Sequence, residues 1–284
     1  MDKIIGLGTA ACNLAKAIEK QAPNIYEIYQ VDKGISGEST FGLPDYPEWD
    51  DYDQKDLGDY TSFLQNIKGE KLFITSCGTV SGASLRLLRD LDPENTTVLY
   101  IAPDDSIIND STRARNKVVS GVLQEYARSG AVKELIILDN RMADAYCPNL
   151  TISNYLDGLN EYMASIVHWS NIFEHTTPIV EGTGWSKFCK ISTLGISEVS
   201  LEDEKIVTKE CMLSEQEGNI EKHYFFAIPE DILDERAGLH RQIKDFTRSA
   251  QAPGLSTTFS VYSTKQDRAF CIIVQKSRDI QKNT

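Results

Sequence analysis

The sequence predicts an α/β protein in two parts: a domain built on a parallel sheet, then a long helix, then a smaller α+β domain. Three observations predict it. Short apolar strand patterns alternate with amphipathic helix patterns from residue 3 to residue 138. An uninterrupted helical stripe follows over 153–173. Beyond residue 188 the pattern turns strand-rich, with one helical segment. The expected divisions are residues 1–150, 151–184 and 185–284.

Strand patterns cover 3–7 (KIIGL), 25–31, 71–76 (KLFITS), 97–102 and 133–138. Between them, 13–20 places Leu14, Ala17 and Ile18 on one helix face. Residues 83–90 carry Leu85, Leu87 and Leu88, and 112–129 align Val118, Val119, Val122, Leu123 and Tyr126. Apolar strands separated by helices predict a mostly parallel sheet covered on both faces. Residues 32–42 read as a Gly/Ser-rich loop. Residues 45–59 hold seven acids and one lysine and read as a solvated acidic loop or short helix. Over 153–173, Tyr155, Leu159, Tyr162, Met163, Ile166 and Trp169 recur at helical spacing, the pattern of a core-facing stripe. Strand patterns then cover 190–196, 205–212, 223–228, 257–263 and 269–275, with a helix inside 232–249. The last two strands flank a polar turn at 264–268 and read as a hairpin.

Composition narrows the function classes. The 284 residues are 41% hydrophobic and 25% charged, which excludes collagen-like and disordered chains. No apolar run approaches the ~20 residues that span a bilayer. The chain opens directly into a strand without a secretory signal pattern, so the expectation is a soluble cytoplasmic protein with no membrane insertion. A net charge of −13 argues against broad nucleic-acid binding and against anionic membrane surfaces. The six cysteines are scattered without C-x-x-C or histidine at ligand spacing, so they read as reduced thiols and no metal site is expected.

Two strand-to-helix junctions carry small residues where an anion could approach the backbone. The first is Gly6-Leu7-Gly8-Thr9-Ala10-Ala11-Cys12-Asn13. The second is Ser76-Cys77-Gly78-Thr79-Val80-Ser81-Gly82-Ala83-Ser84. Helix N-termini present free N–H groups and a positive dipole end, and Thr79 and Ser81 add hydroxyls. The second junction has no Gly-Lys-Ser/Thr, which excludes a Walker A loop. Gly6-x-Gly8 also fits the start of a dinucleotide site, with Asp32 near the ribose, although Ala11 stands where the third glycine belongs. Two such junctions in one parallel sheet would lie together at the carboxyl ends of the strands.

With these residues the chain resembles the tubulin/FtsZ superfamily of GTP-binding, filament-forming proteins. IIGLGTAACN is similar to the first FtsZ loop, which implies phosphate contacts at Gly8, Thr9 and Ala10 and places Asn13 at the family's asparagine. The stretch from Cys77 to Ser84 fits the frame of the glycine-rich signature loop, which implies that Gly78, Thr79, Val80, Ser81 and Gly82 also line the phosphates. Asp110 and Arg113 fill the places of an acid and an arginine near the phosphates and ribose. Asn140 stands where an asparagine reads the guanine edge, and Tyr155 and Asp157 stand where the base is stacked and read. TTFSVYSTKQDRAFCIIVQKS resembles the final pair of FtsZ strands, so the likeness covers residues 3–276. It implies GTP or GDP as ligand, head-to-tail self-association, and a tubulin/FtsZ-like fold. No counterpart of the long cell-division tail follows; a short polar end, 276–284, suggests a plasmid- or phage-type relative.

The pattern departs from the family at three places. Ser76, Cys77 and Val80 replace glycines of the signature loop. The acidic 45–59 stretch stands near the γ-phosphate region, where it would either swing outward or help hold Mg²⁺. The family's acidic catalytic loop has no register match in 176–184; Glu181 is the candidate for its role, with Glu174 the other acid nearby. Three readings follow: a GTP-binding filament protein with slow hydrolysis, a non-hydrolysing structural protein on the same fold, and a Rossmann-type NAD-dependent oxidoreductase. His168, His175, His223 and His240 fall outside the proposed pocket, and no hydrolase triad is supported.

Overall fold

Lys3–Leu7 (β1) organises the first half of the chain. After β1 come Thr9–Gln21 (α1), Glu27–Lys33 (β2), Thr40–Leu43 (β3), Asp51–Gln54 (α2), Tyr60–Gln65 (α3) and Lys71–Thr75 (β4). A 3₁₀ turn at Thr79–Ala83 leads into Ser84–Arg89 (α4), then Thr96–Ala102 (β5), Asp110–Ser129 (α5), Glu134–Asp139 (β6) and Asn140–Tyr146 (α6). The long helix Tyr155–Glu174 (α7) follows. The computed structural model describes residues 1–182, 189–201, 205–215 and 218–277, and separates into two units, Met1–Ser165 and Ile166–Thr284.

In the first unit the strands run β3-β2-β1-β4-β5-β6, every pair parallel. All five residues of β4 and the first six of β5 are buried, as strands covered on both faces must be. The order reverses between β1 and β4, so the crevice of the sheet opens at their carboxyl ends. α5 starts at Asn109, whose side chain accepts from the Thr112 amide at 2.8 Å, and stops at Gly130 in the left-handed conformation (φ 80°).

Two sequence expectations change here. Residues 32–42 are not wholly loop, because β3 pairs with β2 from Gln30↔Thr40 to Lys33↔Leu43. Only four residues long and half glycine and small side chains by composition around it, β3 carries too little alternation to be read locally. The acidic stretch does not swing outward. Tyr52 of α2 is fully buried, and its hydroxyl donates to the Pro44 carbonyl at 3.0 Å. The Arg86 guanidinium donates to the carbonyls of Tyr52, Asp53 and Lys55, tying the end of α2 to α4. Among the described residues no group of three His, Cys, Asp or Glu side chains is arranged to hold a metal ion.

The second unit holds the remainder of α7, then Val180–Glu181 (β7), Ile191–Leu201 (β8), Ile206–Met212 (β9), Asn219–Pro229 (β10), Glu230–Glu235 (α8), Leu239–Ser249 (α9), Ser256–Thr264 (β11) and Phe270–Ser277 (β12). Its sheet runs β8-β12-β10-β11-β7, with β9 on the other edge of β8. β10 and β11 are parallel and the other pairs antiparallel. The expected β11–β12 hairpin is therefore absent: β10 lies between the two strands. The α8–α9 crossover makes β11 parallel to β10 on one side, and β12 takes the other edge of β10. Alternation along β10 sends Tyr224, Phe226 and Ile228 into one cluster with Leu239 and Ile243 of α9. Phe225 stacks instead against Phe173 of α7, whose carbonyl accepts from the Tyr262 hydroxyl at 2.8 Å. No helix among the described residues is long and apolar enough to cross a membrane.

His223 on β10 is buried, with Nε2 2.9 Å from the Ser260 hydroxyl, and burial pushes its pKa down to about 3, with the Lys276 charge adding to the effect. An unfolded histidine titrates near ~6.5, so below that value the unfolded chain takes up a proton that the native chain refuses. Its contribution is complete above that value and drains as pH falls toward about 3. Chemical denaturation should show a loss of roughly 2 kcal/mol from pH 7 to pH 5 traceable to this group. His223→Gln should shrink that loss; an equal loss in both proteins would contradict the assignment.

Backbone packing makes a second prediction. A Cβ on Gly82 would lie 2.1 Å from the Trp49 carbonyl oxygen, whereas one on Gly121, inside α5, would meet nothing within 4 Å. Gly82→Ala should destabilise by about 1–3 kcal/mol, and Gly121→Ala should stabilise by about 0.5–1 kcal/mol. Denaturant midpoints of the two variants shifting in the same direction would contradict this packing.

Candidate functional site

The first junction is shaped by Gly8, which sits at φ 85° before α1 and donates its amide to the Val31 carbonyl at 2.8 Å. A Cβ on Gly6 would lie 2.9 Å from Cys12 Cα, so the glycine lets α1 start hard against β1. No side chain caps α1, and Thr9 and Ala10 are exposed at its first turn. Rather than capping the helix, the Thr9 hydroxyl donates to Asp32 Oδ2 at 2.8 Å. The other Asp32 oxygen accepts from the Lys33 amide at 2.8 Å. Both carboxylate oxygens are thus engaged at the end of β2, where the dinucleotide reading requires one to meet a ribose.

The second junction leaves β4 and divides in two. Gly78 is exposed and Thr79 half-buried, while Val80, Ser81 and Gly82 are buried. A Cβ on Gly8 would lie 2.8 Å from Val80 Cγ2, so the two junctions abut. The Ser81 hydroxyl accepts from the Trp49 indole N–H at 2.9 Å. Trp49 and Tyr52, from the acidic stretch, pack directly behind Gly82. Burial pushes the Cys77 thiol up, partly offset by the positive charge of Arg115.

Asp110 is fully exposed in the first turn of α5. Arg113 is bonded to Asp110 and donates to the carbonyls of Asp105 at 2.9 Å and Ile108 at 3.1 Å. Its guanidinium therefore closes the loop that precedes α5. The basic side chain at the second junction is Arg115, which sequence reasoning did not single out. Its Nη1 lies 3.5 Å from Thr79 Oγ1 and its Nη2 donates to Thr112 Oγ1 at 3.0 Å. The available signal was the Arg-x-Arg at 113–115, with Arg115 one turn beyond Thr112.

Asn140 is the first residue of α6, half-buried, after Asp139 caps that helix by accepting from the Arg141 amide at 2.8 Å. Tyr155 opens α7, 36% exposed, with its hydroxyl bonded to Asp144, and that bond is the main cause raising its pKa. Asp157 and Asn13, 144 positions apart in sequence, line one cavity of about 120 Å³ with Lys16, Lys20, Asn160 and Glu161. Glu181 lies in the second unit, exposed in β7, which is held to β11 by the register Ser260↔Glu181 and by the Gly182 amide donating to Phe259 at 2.7 Å. Thr183 and Gly184 of the same stretch, the expected boundary at 184/185, and the polar end beyond 277 lie outside the described residues.

No family model matches the sequence, and no curated protein matches it. Solved structures do match. An FtsZ W319Y mutant from M. jannaschii superposes with a TM-score of 0.70 at 9% identity, covering 97% of this chain and 90% of that one. CetZ2 from Haloferax volcanii, solved as a GTPγS-bound protofilament, gives 0.69 at 15% identity over 98% and 94%. TubZ from Bacillus thuringiensis serovar israelensis, in a GTPγS-form protofilament, gives 0.69 at 13% identity over 96% and 87%. Strand order alone would also suit a dinucleotide-binding domain, but the likeness runs through both units. Over nearly its whole length, this chain has the tubulin/FtsZ-like fold.

Proposed function

We propose that this chain is a guanine-nucleotide-binding protein that associates head to tail into filaments and hydrolyses GTP slowly. The observation that carries the reading is the abutment of the two glycine junctions at the topological switch point, with Gly8 against Val80. In this reading the amides of Thr9 and Ala10 and those of Gly78 and Thr79 hold the phosphates, while Gly8, whose own amide is taken by the Val31 carbonyl, shapes the turn that presents them. Val80, Ser81 and Gly82 act through their backbone and their packing. Asn140 offers an amide donor and acceptor to the guanine edge. Asn13 and Asp157 approach the nucleoside from two elements, and Tyr155 flanks the base. Asp110 and Arg113 shape the loop beside the sugar. A divalent cation, Mg²⁺, would accompany the triphosphate.

Self-association is supported by the protofilament state of the CetZ2 and TubZ structures that share the fold. A head-to-tail contact that does not close on itself builds a filament. The expected compartment is the cytoplasm. Glu181 is the proposed water-positioning acid, supplied by a neighbouring subunit. Such an acid must stand within about 3 Å of the water, and a side chain held in an edge strand has little reach to adjust. Slow turnover follows. The same observation favours a second reading, in which the nucleotide is bound and not hydrolysed.

Two measurements test the proposal. The protein should bind GTP at least roughly tenfold more tightly than ATP, the equivalent of one lost polar pairing, and Asn140→Ala should abolish that preference. Undiminished preference in the variant would remove Asn140 from base recognition. GTP turnover per subunit should rise with protein concentration, in step with pelleting on sedimentation. Constant turnover without pelleting would contradict assembly; pelleting without turnover would select the non-hydrolysing reading.

A further inference from the structure

We propose that Asn116 is a positioning residue for the second junction: through Tyr100 and the Cys77 thiol it ties the residue before Gly78 to the Asp105 carboxylate. This rests on the nucleotide-binding reading above, in which the Gly78 amide meets a phosphate. Cys77 stands where the signature loop of the resemblance has a glycine. A glycine has no side chain to tether, so the device belongs to this chain's own sequence.

The relay crosses four segments. Cys77 is buried beside Tyr100 of β5, itself fully buried, and their side chains share a hydrogen bond. The Tyr100 hydroxyl donates to Asn116 Oδ1, on α5, at 2.6 Å. With that proton committed, the thiol is the donor to Tyr100 Oη. Burial raises the pKa of both groups, so both keep their protons at neutral pH. Asn116 Nδ2 donates in turn to Asp105 Oδ1 at 3.1 Å. A carboxylate only accepts, so every donor points one way, from Cys77 to Asp105. Aligned hydrogen bonds of this kind strengthen one another.

Both ends of the relay are fixed. The Arg113 guanidinium holds the Asp105 carbonyl at 2.9 Å. At the other end the Gly78 carbonyl accepts from the Ser81 amide at 3.0 Å, which sets the turn that Cys77 enters. An exposed loop residue thus holds Cys77, and Cys77 holds the chain where exposed Gly78 presents its amide.

The test compares wild type with Tyr100→Phe, Asn116→Ala, Asp105→Ala, the double variant Tyr100→Phe/Asp105→Ala, and Asp105→Asn, which keeps an acceptor. Two quantities are read: GTP affinity, and the rate at which iodoacetamide alkylates Cys77 in ligand-free protein, located by peptide mass. Each breaking single variant should weaken GTP by roughly threefold to tenfold, the effect of one lost hydrogen bond, and speed alkylation of Cys77. The double variant should lose no more than the worse single, because one broken link empties the whole relay. Asp105→Asn should behave as wild type. Cys271, buried in the second unit, should stay unreactive throughout; general loosening of the fold would expose it as well and contradict a positioning role. Losses that add in the double variant would overturn the relay. Variants that bind GTP as wild type does, with Cys77 still protected, would overturn the role of Asn116 and leave the nucleotide reading intact. Wild type that binds no GTP would overturn the nucleotide reading and the positioning role with it.

Discussion

The candidate site depends on one close approach, that of Gly8 to Val80. β1 and β4 are parallel neighbours in register through Gly6↔Ile74, so the chain leaves both strands at the same level of the sheet. The space between the two exits is so small that a Cβ on Gly8 would lie 2.8 Å from Val80 Cγ2. Glycine at φ 85° solves the first turn, and a buried valine fills the second. Val80, which stands where a glycine is expected from the resemblance, is thus a packing residue. It fixes the spacing between the two loops and leaves Gly78 and Thr79 on the outer surface.

The second junction is braced from behind. Trp49 donates to Ser81, Tyr52 is wholly buried, and Gly82 admits the Trp49 carbonyl that any larger residue would exclude. Arg86 holds the end of the same stretch through three carbonyls. A segment with seven acids can lie beside this glycine turn because its aromatic residues make the contacts. At the first junction, Thr9 is turned toward Asp32, which leaves the first-turn amides of α1 without a side-chain cap.

The parallel sheet, the long helix and both junctions were legible because each rests on local periodicity or on small residues at a strand end. The order of β10, β11 and β12 was not. Two strands joined by a short polar turn look like a hairpin, and only the α8–α9 crossover shows that β10 lies between them. Val80 and Ser81 were legible as loop residues, but their burial depends on Gly8 and on Trp49, 32 positions from Ser81. Arg115 was hidden for a similar reason: its partner Thr79 is 36 positions away, and Arg113 beside it carried the resemblance. Glu181 was legible only as an acid in a loop-like stretch, and its place in an edge strand was set by pairing with β11.

The most direct test of a single phosphate surface shared by the two junctions is amide hydrogen exchange with and without GTP. Protection is expected to appear together at Thr9–Ala10 and at Gly78–Thr79, as two loops closing on one ligand require. Protection of one loop alone, or of neither while GTP is bound elsewhere, would contradict the shared site.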